Sequence, residues 1–366
     1  MKTERRTIVR YRLGKAFVVL AGIGALAAVG CSKADVKDAA VATVNGENIK
    51  VSELREFLGY RGGATSAADV PMEKKKEALD RLIAGRLFAQ EGRARGLDNT
   101  EEFRTIIRKN EPGVLIGALF RKELASKLKL SDSDIKAEAK KLREADKTLS
   151  EDNASVRAAR MVSETKMKKI EEDLIATARK EVSATVNEEA LGKIGKAGNV
   201  ADDVVLATVG AEKVSYGDVK NVLKGMTGGG HGSQDLTTNP VAVGRVLDRE
   251  VTGKALAAYA RKSGIEGSEW LKVVRQDMER SVTIDLLAEK EILRGIQVTD
   301  KEIQGAYAEH AAMFVRDGKK IPLVLVKGQL EAYLRNEKQK KALEDYVQGL
   351  RKKAKITVKE ELLPKV

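Results

Sequence analysis

Apolar residues recur at helical spacing along most of the chain. In residues 72–95, Leu79, Leu82, Ile83, Leu87 and Phe88 fall at three- and four-residue steps, the signature of one apolar helix face. Gly96 is placed to end that helix, because glycine enters the left-handed conformation that closes many helices. Asn99-Thr100-Glu101-Glu102 then reads as a cap followed by an acidic first turn, which favours a helix start. Residues 113–128 and the strongly charged 150–181 are further helical runs, and 241–263, 266–294 and 328–354 behave in the same way. Alternation at period two is rare and short. Val41 to Val44, then Asn45-Gly46, then Glu47-Asn48-Ile49 predicts a hairpin with a primed turn. Ser183 to Val186 and Ile356 to Val358 are two more short extended segments.

The same pattern is written twice. ATVNGENIKVSELREFL at 42–58 returns as ATVGAEKVSYGDVKNVL at 207–223, and DRLIAGRLFAQEGRARGL at 80–97 as DREVTGKALAAYARKSGI at 248–265. LSDSDI at 130–135 matches VTDKEI at 298–303, and TVNEEAL at 185–191 matches TVKEELL at 357–363. Four blocks in the same order at a nearly constant offset imply a duplicated unit. The expected fold is mainly α: two tandem helical units, 41–191 and 206–363, joined by a linker at 192–205. Each unit carries a small β-hairpin that its own tail extends to a three-stranded sheet. Gly225 to Asp235 reads as a flexible loop, with Arg61 to Ala64 as its counterpart in the first copy.

Composition agrees with long amphipathic helices: charged residues make up 33 % of the chain, aromatics 4 %, and there are five prolines. The net charge is +13. Part of it belongs to a leader, since Lys2, Arg5, Arg6, Arg10, Arg12 and Lys15 precede an uncharged apolar stretch from Ala16 to Val29. That stretch is too short for a helix to cross a bilayer, and it ends at Cys31, the only cysteine in the chain. The arrangement resembles a bacterial lipoprotein signal: residues 1–30 are removed, Cys31 is acylated, and 31–40 serve as a tether. The resemblance departs at Ala28, where a leucine is usual. An ordinary signal peptide with an incidental cysteine is the alternative, and Arg5-Arg6 loosely resembles a twin-arginine signal. Ser32, with no acid beside it, favours the outer membrane of a Gram-negative cell, with the protein on its periplasmic face. A basic exported protein meets acidic chains or anionic lipid rather than nucleic acid.

The blocks ATVNGE…SEL, ALDRLIAGRLFAQEGRARGL, LSDSDIKAEAKKL and KALEDYVQGLRKKAKITVKEELL resemble the N-terminal chaperone domain and closing segment of SurA- and PrsA-type foldases. The resemblance covers most of residues 40–363, in two successive copies. It implies chaperone activity toward unfolded or partly folded secreted and outer-membrane polypeptides. Such proteins often carry a parvulin prolyl-isomerase domain, but neither copy has room for one ahead of its closing helix. Parvulin sites also use paired histidines, and this chain has only His231 and His310.

Little else in the chain points to chemistry. Two distant histidines and one cysteine offer no metal-ligand cluster. Glu188-Glu189 and Glu360-Glu361 are adjacent and face apart. The run Gly228 to Gly232 lacks the lysine and hydroxyl residue of a phosphate loop. Lys74-Lys75-Lys76 and the basic cluster Lys338 to Lys341 read as solvated faces. No catalytic residue and no cofactor is therefore expected. The expected function is an exported, lipid-anchored holdase, with Phe57, Tyr60 and Met226 as candidate client-binding residues; core packing is the competing reading for Phe57. The alternatives are an assembly lipoprotein for one dedicated secretion or export complex, and a divergent prolyl isomerase. The sequence leaves the oligomeric state open.

Overall fold

The computed structural model describes residues 39–62, 70–195, 200–227, 236–316 and 319–366. The leader, Cys31, His231 and the run Gly228 to Gly232 lie outside the described residues. The chain is mainly α-helical, 75 % in helix, with small antiparallel sheets.

The hairpin forms as its residues dictate. Strands β1 (Ala40–Val44) and β2 (Glu47–Lys50) are joined by Asn45 and Gly46 at φ 50° and 89°, the positive values of a two-residue turn that matches strand twist. Helix α1 (Val51–Gly62) follows, then α2 (Met72–Ala94), which Gly96 ends at φ 70°. In α3 (Glu101–Lys127) the Thr100 hydroxyl caps the amide of Phe103. The sequence suggests a break before residue 113, yet α3 runs through Pro112. Buried Phe103 before the proline and Val114, Leu115, Ala118 and Leu119 after it anchor both halves, which offsets the hydrogen bond that proline removes.

Helices α4 (Asp132–Ala145) and α5 (Glu151–Glu181) come next, then β3 (Ala184–Val186) and a single turn, α6 (Glu188–Leu191). The second copy repeats the series. It has β4 (Val205–Val209), β5 (Glu212–Ser215), α7 (Tyr216–Thr227), α8 (Pro240–Lys262), α9 (Glu269–Leu287), α10 (Asp300–Glu309), a two-residue pair β6 (Val315–Arg316) and β7 (Lys319–Lys320), α11 (Leu323–Lys353) and β8 (Ile356–Val358). Gly264 adopts the same φ of 70° as Gly96, so the duplication extends to backbone angles.

The tails correct the expected topology. The strand orders are β2-β1-β8 and β3-β4-β5: the second copy's tail completes the first copy's hairpin, and the first copy's tail completes the second's. Thr43 lies opposite Thr357, and Thr185 opposite Thr208. The helix before each tail decides the partner. Helix α5 packs along α8, where Arg179 meets the Asp248 carboxylate at 2.6 Å, and delivers β3 to β4. Helix α11 packs along α2, where Arg351 meets Asp80 at 3.1 Å and Tyr346 stacks on Phe88 at 6.1 Å. Asn45 then clamps the returning tail, its amide donating to the Lys355 carbonyl and its side-chain oxygen accepting from the Lys355 amide. Pairing β3 with the nearby β4 also closes a far shorter loop than a return to β1, and loop-closure entropy favours the shorter loop.

Compact units accordingly cut across the sequence copies. Among the described residues, an inner unit in sequence holds 108–275, and an outer unit holds 39–107 with 276–366. The outer unit's main core gathers Val41, Val44, Ile49, Leu54, Ile83, Leu87 and the tail's Leu363. Each such side chain contributes about 1.5–3 kcal/mol by burial.

At α10, Thr299 forms a reciprocal capping box with Glu302, whose carboxylate also accepts from Lys338. The Lys338 hydrogen bond, with those from Thr299, holds the Glu302 carboxyl down to about 2, against an ordinary 4.5. A depressed carboxyl stabilises the fold above its unfolded value and loses that contribution as pH falls through the folded one. Acidification from 4.5 to about 2 should therefore loosen α10, and Glu302→Gln should flatten that stretch of the melting-temperature profile. An unchanged profile in the variant would show that the box carries no acid sensitivity.

Candidate functional site

A cluster of paired charges lies in the outer unit. The Arg86 side chain on α2 is 8 % exposed, and its Nη2 donates to both Glu53 oxygens, at 3.0 and 2.7 Å, and to the Asn48 carbonyl. Arg280 on α9 lies 3.5 Å from Glu53, and Arg93 pairs with Glu47 at 2.5 Å. Burial raises the Glu53 carboxyl above its ordinary value although Arg86 and Arg280 both pull it down. Burial also lowers the Arg86 guanidinium, with Glu53 opposing. Beside this cluster is a cleft of about 460 Å³, with Glu47, Arg93, Asp98, Glu279 and Arg280 among its lining residues. Both signs are present: Arg93 pairs with Glu47, and Arg280 pairs with Glu53 and Asp277. Helix α2 passes α9 closely here: a Cβ built on Gly92 would lie 2.5 Å from the Thr283 methyl, so any larger residue at 92 forces the helices apart.

Lys75 departs from the sequence expectation of a solvated basic run. It is buried, and its ammonium donates to the main-chain oxygen of Val366, while Lys74 and Lys76 pair with Glu77 and Glu360. Lys338, Lys340 and Lys341 each face an acid on their own or a neighbouring helix. His310 is half-buried at the C-terminal end of α10, where its amide donates to Ala306. Glu189 pairs with Lys193. Among the described residues, no group of three or more His, Cys, Asp or Glu is arranged to hold a metal ion, and no helix is long and apolar enough to cross a membrane.

The three apolar candidates do not share one site. Phe57 on α1 packs half-buried against the outer unit's main core, which agrees with core packing. The Tyr60 side chain lies outside the described residues. Met226 belongs to the inner unit, 62 % exposed near the end of α7, and Val241 in the first turn of α8 is equally exposed. These two residues flank the glycine-rich segment 228–235. Sequence reasoning passed over the joint between α10 and α11, where Met313, Val324 and Leu325 are 76, 79 and 72 % exposed. Its only signal was the unbroken apolar LVLV that starts α11. The joints ahead of the two closing helices comprise residues 146–150 in one copy and 310–322 in the other.

No protein-family model, curated protein or solved structure matches the chain.

Proposed function

We propose that this protein is an exported, lipid-anchored holdase of the SurA-like kind, binding unfolded or partly folded envelope and secreted polypeptides without chemistry or nucleotide. The observation that carries the reading is the exposure of two apolar side chains in the inner unit, Met226 near the end of α7 and Val241 in the first turn of α8. Methionine adapts its shape to many apolar partners. The repeated blocks that resemble foldase chaperone domains support the same reading, and so does the leader ending at Cys31. The short joints ahead of the closing helices support binding rather than prolyl isomerisation.

The full chain should suppress aggregation of a chemically denatured client at a few-fold molar excess. Met226→Asp with Val241→Asp should weaken suppression several-fold while the fold stays intact. Absence of suppression by the parent chain would sink the reading. Recovery of a single stoichiometric partner in pull-downs, in place of many clients, would replace it with an assembly role. Mass spectrometry of the mature N-terminus checks the anchor, which requires an acylated Cys31.

A further inference from the structure

The joint between α10 and α11 does more than connect two helices. After α10 a short turn, Ala311–Phe314, leads into β6 and β7, and Ile321-Pro322 opens α11. One side of this segment is used by the fold. Ile303, Ala306, Val326 and Leu330 form a small core, with Tyr307, Phe314, Ile321 and Leu323 packed against it. Tyr307 stacks on Phe314 at 5.2 Å and its hydroxyl donates to the Ile321 carbonyl. Other apolar residues of the segment are left uncovered: Met313, Val324 and Leu325 stand more than 70 % exposed and Val315 about half. In the first turn of α11, Leu323 and Val326 turn inward while Val324 and Leu325 turn out, so this turn is apolar all round.

The homologous joint in the first copy shows that the fold does not require this. There, residues 146–150 close the α4–α5 turn with the Asp146 carboxylate accepting from the amide and hydroxyl of Thr148. Leu149, its one large apolar residue, packs half-buried against Ala139, Ala154 and Ala158. Exposed apolar bulk is a local property of the second joint.

Charge accompanies the apolar side chains. Residues 311–327 contain Arg316, Lys319, Lys320 and Lys327 against the single acid Asp317. Lys319 and Lys320 are exposed, with the Lys320 ammonium 4.8 Å from the Tyr307 ring centroid, while Lys327 pairs with Asp300 at 2.7 Å.

We propose that this joint is a membrane-insertion tip, whose Met313, Val315, Val324 and Leu325 enter an anionic phospholipid surface while Lys319 and Lys320 contact the headgroups. Side chains exposed to this degree have no groove walls around them, whereas docking of a polypeptide segment relies on a concave apolar groove. Exposed apolar side chains with exposed lysines close by in the chain match the acyl–headgroup boundary of a bilayer. Pairing with a second copy of the chain would bring two sets of lysines together. The tip is separate from Met226 and Val241, and the holdase reading stands or falls without it.

The test uses the full chain with Cys31→Ser and Val324→Cys carrying an environment-sensitive fluorophore, against a control labelled at Val156→Cys, another exposed position. Phosphatidylcholine vesicles containing phosphatidylglycerol should blue-shift and brighten the label at 324, and pure phosphatidylcholine should do so several-fold less. Lys319→Ala and Lys320→Ala should each weaken the titration about fivefold. A label at 313 (Met313→Cys) should respond in parallel and serves where the 324 variant folds poorly. No shift at either tip position with the anionic vesicles would overturn the proposal, as would an equal shift at 156. So would a lipid-free shift that grows with protein concentration, which marks self-association, or one produced by an unfolded polypeptide in place of vesicles.

Discussion

A chain carrying Cys31→Ser, Thr43→Cys and Thr357→Cys should close an internal disulfide on mild oxidation, while one carrying Thr43→Cys and Thr185→Cys should remain reduced. Thr43 and Thr357 are direct partners across β1 and β8. Opposed residues in an antiparallel pair have Cα atoms roughly 4.5–5.5 Å apart, inside the range a disulfide accepts. Thr357 is exposed and Thr43 half-buried, so both thiols are reachable by oxidant. The homologous positions in the other sheet, Thr185 and Thr208, already share a hydroxyl hydrogen bond at 2.7 Å. Because the new bridge closes a loop spanning most of the chain, the entropy model gives a stabilisation on the order of 5 kcal/mol. Melting with and without reductant reads that gain, and mass spectrometry of non-reduced peptides identifies the bridge. A Thr43–Thr185 bridge would mean that each copy closes on its own tail, and a bridge between two chains would mean that tails exchange intermolecularly.

This exchange is also where sequence reasoning stopped short. The hairpin was legible because Asn45-Gly46 demands positive φ, and the helix end at Gly96 for the same reason. Tail partnership was not legible, because duplication makes the alternatives chemically equal. Both tails carry Thr-Val, and Arg179 and Arg351 occupy equivalent positions, as do their partners Asp248 and Asp80. Any pairing of tail with hairpin satisfies the same local chemistry, so only helix docking and loop length separate them, and neither is visible in a periodicity. Surface exposure was hidden for a related reason. Apolar runs such as Leu323 to Val326 read as core whether one face is covered or both. Lys75 fails in the opposite sense, since a lysine triplet at a helix start gives no sign that its middle member is covered by the returning tail.

Arg86→Met should cost about 3 kcal/mol of stability at neutral pH, since removing one partner of a buried pair leaves the other charge without compensation. Arg280 at 3.5 Å remains to share the Glu53 charge, which places the loss at the lower end of the expected range. The pH dependence carries the sign. Burial already holds the Glu53 carboxyl above its ordinary 4.5, against the pull of Arg86 and then Arg280. Without Arg86 it rises further. A carboxyl that binds its proton more tightly in the folded state costs stability as pH climbs from the unfolded value through the folded one. The deficit of the variant should therefore be greatest at neutral pH and shrink as the solution is acidified toward 4.5 and Glu53 becomes neutral. Urea denaturation across that interval measures it. Adding Glu53→Met should restore most of the loss, because an apolar pair of similar volume leaves no buried charge behind. A deficit that stays constant with pH would show that Arg86 acts by packing its aliphatic stem rather than by compensating Glu53.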